Sequence, residues 1–124
     1  MVLALWFPKR RADLPPDEYA ECGRQMRVLI QTIPGFLSVK TYTAADGETV
    51  TLARFESAEA LDTWREHPEH RAAQQRGRDT CFDSYRGETY ELLYASTLDR
   101  EHGRRNLSSE ALARLSAGIS EDSG

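Results

Sequence analysis

The hydrophobic positions of the chain change their period several times. Residues 2–7 (VLALWF) form a continuous apolar run of strand length that ends at Pro8, and proline interrupts strand pairing. A strand with one wet face alternates apolar and polar residues, so this run predicts a first strand buried on both faces. Helices would cover one face, and a partner subunit is the simplest cover for the other.

The following segment has the periodicity of a helix. Asp13 is predicted as its N-cap, and Pro15 and Pro16 fall in the first turn, where the missing N–H of proline costs nothing. Pro34 and Gly35 end the helix. Apolar residues recur between these limits at steps of three and four and predict one stripe for packing on a sheet: Tyr19, Cys22, Met26, Leu29, Ile30 and Ile33.

Two strands joined by a tight turn come next. Residues 36–43 (FLSVKTYT) and 49–55 (TVTLARF) are rich in residues that favour strands. The turn between them contains Asp-Gly, a strong signal for a short hairpin connection. The pattern therefore predicts an antiparallel hairpin.

A second helical region is interrupted by proline. Ser57 is predicted to cap a helix whose apolar face carries Leu61 and Trp64. Pro68 removes an internal hydrogen bond and pushes the residue before it out of helical geometry. We therefore expect the helix to break there and restart over residues 68–79.

Strand-forming residues return from residue 82, particularly over residues 89–95 (TYELLYA). The order β, α, β, β, α, β predicts an α+β protein with the ferredoxin-like split βαβ arrangement, an antiparallel sheet with its helices on one face. The apolar signal then fades. Residues 1–96 are predicted as one domain, and residues 97–124 as a flexible C-terminal tail with one short helix capped at Ser108.

Charge and cysteine usage narrow the function. The net charge of −4 argues against a nucleic-acid binder, which needs a clustered basic face. No apolar run approaches the roughly 20 residues that span a bilayer, and at the start positive charge follows the apolar run, the wrong order for a signal peptide. A cytoplasmic protein is expected. Cys22 and Cys81 are then expected to be reduced and to pack as small apolar residues.

Candidate chemistry concentrates in residues 64–78 (WREHPEHRAAQQRGR). His67 and His70 adjoin the helix break, and imidazole titrates near ~6.5, so either can act as a base. The alternative is that one caps the helix and the other faces water. Because Pro68 breaks the helix that would align them and no third ligand is evident, no metal site is predicted. Trp64 serves either as core packing or as a pocket wall.

Other candidates lie on the strands. Arg54 interrupts an apolar strand, and a buried arginine must be paired, so it points at an anionic ligand or at a carboxylate across a dimer. Its alternative is a strand-end position near solvent. The aromatic candidates for the walls of a substrate pocket are Trp6, Tyr42, Phe55 and Tyr85.

Three stretches within residues 1–95 carry a resemblance: Pro34-Gly35-Phe36, RFESAEALDTW, and HPEHRAAQQRGRDTCFDSY. Together they resemble the antibiotic biosynthesis monooxygenase family of small dimeric α+β barrel proteins. The resemblance implies a homodimer in which two sheets meet to form a barrel with the helices outside. The face of the first strand that lacks helices would then be buried by the partner.

The resemblance also implies an activity. Enzymes of this family oxygenate phenolic or hydroquinone aromatic compounds, such as polyketide-like intermediates of secondary-metabolite biosynthesis, without metal, flavin or other cofactor. Such chemistry needs a base, groups that stabilise an anion and a dry aromatic pocket. The catalytic hypothesis assigns these roles to His70, His67, Trp64 and Arg54.

Two alternatives stay open. A polyketide cyclase or isomerase would use the histidine for proton transfer without O₂, and a non-catalytic ligand-binding dimer module would need neither histidine. A haem-degrading enzyme of the same fold would carry an Asn in its first strand and a haem-binding His ten residues after the helical Trp. Here the first strand has no Asn, and Gln74 stands ten residues after Trp64, which argues against haem.

Overall fold

The computed structural model describes residues 1–116 and 118–119. Its elements are, in order, β1 (Val2–Arg10), α1 (Pro16–Ile30), β2 (Phe36–Thr43), β3 (Thr49–Phe55), α2 (Ala58–Glu66), α3 (Pro68–Thr80), β4 (Phe82–Glu91), β5 (Ala95–Asp99), β6 (Gly103–Leu107), α4 (Ser109–Ser116) and β7 (Gly118–Ile119). None of the helices in the described part is long and apolar enough to cross a membrane.

The main sheet has the strand order β4-β1-β3-β2-β7. Its first four strands are antiparallel to their neighbours, and the short β7 lies parallel to β2. The predicted order β, α, β, β, α, β and its ferredoxin-like fold class are confirmed, with the second helical region in two pieces. The predicted Asp-Gly turn is also present, and Gly47 adopts φ 92 in it, a conformation that favours glycine.

One face of the sheet packs on the helices. Side chains alternate along a strand, so Val2, Ala4 and Trp6 of β1 point to the helix side. The buried core lies on this side and consists of Val2, Ile30, Ile33, Val39, Ala53, Phe55, Ala60, Leu61 and Trp64. The first strand is therefore anchored by its even-numbered residues.

The opposite face of the sheet, here called the open face, is also largely apolar. It carries Leu3, Leu5 and Phe7 from β1, and directly opposite on β3 lie Arg54 beside Leu3 and Leu52 beside Leu5. All five are partly exposed in the single chain. The first strand is thus apolar on both faces, as its sequence predicts, but only one face is fully covered within the monomer.

The helix break occurs at the predicted proline. Ser57 Oγ accepts a hydrogen bond from the backbone N–H of Ala60 at 3.1 Å and caps α2. His67 has the extended backbone of a cap, and Pro68 starts α3. The loss of the proline N–H and its steric effect on the residue before it account for the break.

The predicted N-cap of the first helix is wrong. The residue before α1 is Pro15, which makes no side-chain capping bond. Asp13 lies further upstream, where both carboxylate oxygens accept hydrogen bonds from the Arg11 guanidinium at 3.2 and 2.9 Å. A two-point bond with arginine has displaced the capping bond that the sequence pattern suggested.

The prediction of reduced thiols is also wrong for this structure. Cys22 in α1 and Cys81 at the end of α3 form a disulfide across a sequence separation of 59, with Cα atoms 6.7 Å apart. Packing of α1 beside the junction of α3 and β4 brings the two sulfurs together, and neither residue type nor spacing in the sequence indicates that contact.

The segment after residue 94 contains regular structure that the pattern did not predict. Strands β5 and β6 form a separate antiparallel hairpin, on which Leu98 is exposed. Helix α4 follows, and Ser108 Oγ accepts a hydrogen bond from Ala111 N–H at 3.1 Å, in the capping arrangement expected for this serine. Residues 117 and 120–124 of the predicted tail lie outside the described residues.

Candidate functional site

The break between α2 and α3 brings Trp64 and His70 together. Trp64 lies on the buried face of α2, and His70 is the third residue of α3. Their ring centroids are 3.8 Å apart with the planes inclined at 53°. Trp64 is 8% exposed and His70 5% exposed. A side chain that a continuous helix would have placed elsewhere is thus turned against the indole in the protein interior.

Burial controls the charge of His70. Removal from water lowers the pKa of its imidazole to about 4, the Trp64 backbone carbonyl raises it, and the nearby His67 and Arg65 lower it further. The ring is therefore neutral at physiological pH. Its Nδ1 atom is buried and makes no hydrogen bond with the described residues. An unpaired buried nitrogen is rare in proteins and requires a structural or functional explanation.

His67 has a different role. Its Nδ1 accepts a hydrogen bond from the backbone N–H of Glu69 at 3.1 Å, which caps α3. That lone pair is occupied, so this nitrogen is not free to take a proton from a ligand. Of the two roles considered for the histidines as structural residues, capping describes His67, whereas His70 does not face water.

Three other predicted site residues do not form a common pocket with Trp64 and His70. Arg54 lies on the open face, on the far side of the sheet. Tyr42 is 47% exposed on the same face, opposite Val50. Phe55 belongs to the same core as Trp64 but is 0% exposed and packs edge-on against Phe36. Phe55 therefore fills the core and offers no surface to a ligand.

Trp6 and Tyr85 form a second aromatic cluster with Phe82. Their ring centroids are 5.8 Å apart, and those of Trp6 and Phe82 are 4.9 Å apart. This cluster adjoins the C-terminal end of α3, whereas His70 lies at the N-terminal end. The Phe82 ring of this cluster lies against Gly77, seven residues after His70, which is a rise of roughly 10 Å along α3. The predicted site residues on the helix side therefore divide between two places.

A half-open cavity of about 630 Å³, here called the strand-end cavity, adjoins the second cluster. Among the residues that line it are Tyr19, Tyr85, Lys9, Arg10 and Arg86. Of these, sequence reasoning selected only Tyr85. It assigned Tyr19 to the packing stripe of α1, and it gave no reason to single out the three basic residues, because their convergence depends on where β1 leaves the sheet.

The fold and the two aromatic clusters define a small ferredoxin-like α+β protein with buried aromatic and imidazole groups. Residues 14–76 match the model of the family described as antibiotic biosynthesis monooxygenase. This match covers about half of the 124 residues, and the chain belongs to that family. The resemblance seen in the sequence is confirmed.

A curated bacterial protein matches part of the chain. The uncharacterized protein YqjZ of Bacillus subtilis (strain 168) is 39% identical over 67 residues, which are 54% of this chain and 59% of that protein. The chain thus spans about three fifths of the length of this curated relative.

Two solved structures share the fold at low sequence identity. SnoaB, a cofactor-independent oxygenase from Streptomyces nogalater, superposes with a TM-score of 0.61 at 13% identity, over 74% of this chain and 91% of that one. A dimeric ferredoxin-like protein of unknown function from Thermobifida fusca superposes with a TM-score of 0.61 at 14% identity, over 73% of this chain and 90% of that one. At these identities the similarity shows the fold alone.

Proposed function

We propose that this protein is a cofactor-independent monooxygenase that oxidises a phenolic or hydroquinone aromatic compound, of the polyketide-like kind found in secondary-metabolite biosynthesis. The observation that carries the proposal is His70, a neutral buried imidazole with an unpaired Nδ1, in contact with the ring of Trp64. Family membership and the fold shared with a cofactor-independent oxygenase support it.

The reaction would begin with proton transfer. A bound phenol donates its hydroxyl hydrogen to Nδ1 of His70 and becomes an electron-rich anion, while Trp64 supplies an apolar wall that excludes water. The anion passes one electron to O₂, and the resulting radical and superoxide combine into a peroxide anion. The protonated His70 then returns the proton, which gives a hydroperoxide and restores the neutral imidazole. Loss of water from a methylene-bearing substrate such as an anthrone then leaves a quinone, so one oxygen atom of O₂ enters the product and the other leaves as water.

The packing around His70 restricts how a substrate can reach its imidazole. Both rings of the pair are buried. A substrate must therefore displace side chains at the junction of α2 and α3, where the backbone is already broken by Pro68. Local opening at a helix junction is less costly than opening within a continuous helix, because fewer backbone hydrogen bonds are lost.

We propose further that two copies associate through their open faces. The apolar residues Leu3, Leu5 and Phe7 are partly exposed there, and a symmetric partner would bury them. Arg54 would then lie between the two sheets, where it needs a carboxylate or an anionic group as its partner. The dimeric protein from Thermobifida fusca, which has the same fold, supports this arrangement.

The test is whether the purified protein consumes O₂ with anthrone and hydroquinone substrates. An oxygen electrode measures the O₂ consumed, and absorbance measures the quinone formed. We expect turnover that is lost in His70→Gln and reduced in Trp64→Phe. His102→Gln is the matched control, because His102 lies in the turn between β5 and β6 and is half-exposed, far from α3 in the sequence.

Each outcome separates the candidate functions. Quinone formation that requires O₂ and His70 supports a monooxygenase. Conversion of a polyketide analogue that proceeds equally well under nitrogen would show a cyclase or isomerase. Absence of conversion across the panel, with unchanged ligand binding in His70→Gln, would show a non-catalytic binding module and overturn the proposal.

A further inference from the structure

We propose that the strand-end cavity is a separate binding site for a small aromatic anion, a monocyclic carboxylate or phenolate. It lies at the opposite end of α3 from the Trp64–His70 pair, so it goes beyond the proposed oxygenation site. Three features carry the inference: how the strands create the space, which flat surfaces line it, and which charges converge on it.

The cavity exists because β1 extends beyond the end of its pairing with β3. Pairing of β1 with β3 ends at Trp6 opposite Thr51, whereas pairing with β4 continues to Arg10 opposite Phe82. Beyond Trp6, the side of β1 that faced β3 has no strand beside it, and the turn that contains Gly47 and Glu48 lies across the gap. The cavity volume of about 630 Å³ is within the range of small-molecule sites, roughly 300–1,000 Å³.

The lining offers flat apolar surfaces. Pro8, Pro16, Tyr19 and Tyr85 contribute to it, and Phe7, which the proposed second copy would cover, borders it on the open-face side. The ring of Tyr19 is held edge-on against Phe82 at 5.7 Å, and Tyr85 is held by Trp6 and Phe82. Because both tyrosines are supported from behind by other rings, their exposed faces are preorganised to stack on an aromatic ligand.

Positive charge predominates in the cavity although the chain as a whole carries −4. Lys9 makes no ion pair with the described residues. Arg10 donates to the backbone carbonyl of Leu14 at 2.9 Å, which fixes its position without neutralising it. Arg86 is paired with Glu88 at 2.8 Å and lies over the ring of Phe7. Glu48 is the carboxylate in the lining, whereas Glu88 pairs with Arg86 from outside it, so Lys9 and Arg10 are the cations left without a carboxylate.

Two hydroxyl groups add directional donors. Arg78 Nη1 donates to the Tyr85 hydroxyl oxygen at 2.8 Å, which leaves the Tyr85 hydrogen available for an acceptor in the cavity. Burial raises the pKa of Tyr19, with Arg10 acting in the opposite direction, so its phenol keeps its hydrogen. Donor hydroxyls, lone cations and flat walls together recognise a carboxylate or phenolate attached to a ring.

The probe is 4-hydroxybenzoate, compared with the neutral 4-hydroxybenzamide, in calorimetry and in quenching of tryptophan fluorescence at low salt. Trp6 contacts Tyr85 and serves as the reporter. We expect the benzoate to bind at least tenfold more tightly than the amide. Lys9→Ala/Arg10→Ala should weaken benzoate binding tenfold or more, and Tyr85→Phe severalfold, with little effect on the amide.

The matched control is Arg104→Ala/Arg105→Ala, which removes the same charge from exposed positions on β6. If this control weakens benzoate binding as much as the cavity variant, or if benzoate and amide bind equally, the proposal is overturned. Binding is measured without turnover. A failure of O₂ consumption with benzoate binding intact would therefore overturn only the proposed oxygenation, and the reverse result would overturn only this site.

Discussion

His67 and His70 show how environment separates two residues of one type three positions apart. His67 is at the helix break, where its ring caps the next helix and stays partly exposed. His70 lies one turn further and is buried against Trp64. The same imidazole is therefore a capping group at one position and a neutral buried ring at the other. The difference comes from position: His67 is the N-cap that precedes α3, whereas His70 lies in the first turn of the helix.

The burial of His70 predicts a pH dependence of stability. Its pKa is lowered from 6.5 to about 4 in the folded protein, so the unfolded chain binds a proton at this residue at higher pH than the folded one. The free energy of unfolding should therefore be highest above pH 6.5 and fall as pH decreases toward 4. This single group contributes at most about 3 kcal/mol to that fall.

Urea denaturation between pH 4 and 8 measures this effect. His70→Gln should flatten the curve in that window, whereas His102→Gln should leave its shape unchanged, since His102 is half-exposed. An unchanged slope in His70→Gln would show that His70 titrates normally in the folded state, contrary to the structure.

At the scale of elements, close approach of α3 to β4 depends on a glycine. A Cβ atom built on Gly77 would lie 2.8 Å from Cε2 of Phe82, a ring that is held in turn by Trp6 and Tyr19. Gly23 in α1 meets only the end of the flexible Arg27 side chain, at 3.0 Å. The two helical glycines therefore serve different purposes.

Alanine at Gly77 and alanine at Gly23 should have opposite effects on the free energy of unfolding. Gly77→Ala is expected to destabilise the protein by roughly 1–3 kcal/mol, because the ring of Phe82 cannot move away without disturbing its cluster. Gly23→Ala is expected to stabilise it by up to about 1 kcal/mol, because alanine is the better helix former and Arg27 can move. Thermal and urea unfolding of both variants measure this, and equal effects in the two would contradict the packing described for Gly77.

The disulfide is the other strong connection between elements. It closes a long loop between Cys22 and Cys81, with a sequence separation of 59. In the loop-entropy model a crosslink of this span stabilises the folded state by about 4 kcal/mol, and measured values are typically 2–4. It ties the helix that carries Tyr19 to the strand that carries Phe82.

Cys22→Ser/Cys81→Ser should therefore lower the free energy of unfolding by roughly 2–4 kcal/mol in the absence of reductant. Dithiothreitol should destabilise the natural sequence by a similar amount and leave the double variant unchanged. Two free thiols found by mass spectrometry of the protein purified without reductant would show that the bond does not form.

For the molecule as a whole, the open face carries the proposed contact between two copies. The described part of one chain leaves Leu3, Leu5, Phe7 and Leu52 partly exposed on a single surface. Burial of such a surface is favoured by about 25 cal/mol per Å² of apolar area. A second copy is the partner proposed above for this surface.

A charge in this surface should separate the copies. Leu5→Glu places a carboxylate at the centre of β1 on the open face and is expected to shift the protein from dimer to monomer at micromolar concentration. Analytical ultracentrifugation measures the change. Val28→Glu is the control, because Val28 is 63% exposed on α1, on the helix side. A natural sequence that sediments as a monomer would contradict the proposed dimer.

The cellular location stays a prediction. The Cys22–Cys81 disulfide is a bond more usual in oxidising compartments. Labelling of free thiols in protein taken directly from cells would establish which state the chain has there.

Much of the fold is predictable from the sequence because its signals are local. The run before Pro8, the stripe in α1, the Asp-Gly turn and the break at Pro68 each act through residues within a few positions. The hairpin of β5 and β6 is harder, since residues 95–107 have little apolar alternation. The cap predicted at Asp13 fails because a single side-chain partner, Arg11, outcompetes the local rule.

The candidate site also has features that follow from neighbouring residues and features that follow from tertiary packing. The sequence by itself determined the family, the order of the elements, and the presence of Trp64 and two histidines beside a helix break, because periodicity, capping and proline geometry are properties of neighbouring residues. Only the tertiary structure decided that His70 meets Trp64, that Arg54 lies across the sheet, and that Cys22 reaches Cys81. Cys22 and Cys81 are distant in sequence, and the six residues from Trp64 to His70 span a helix break, so the geometry of both contacts follows from how the helices and strands pack.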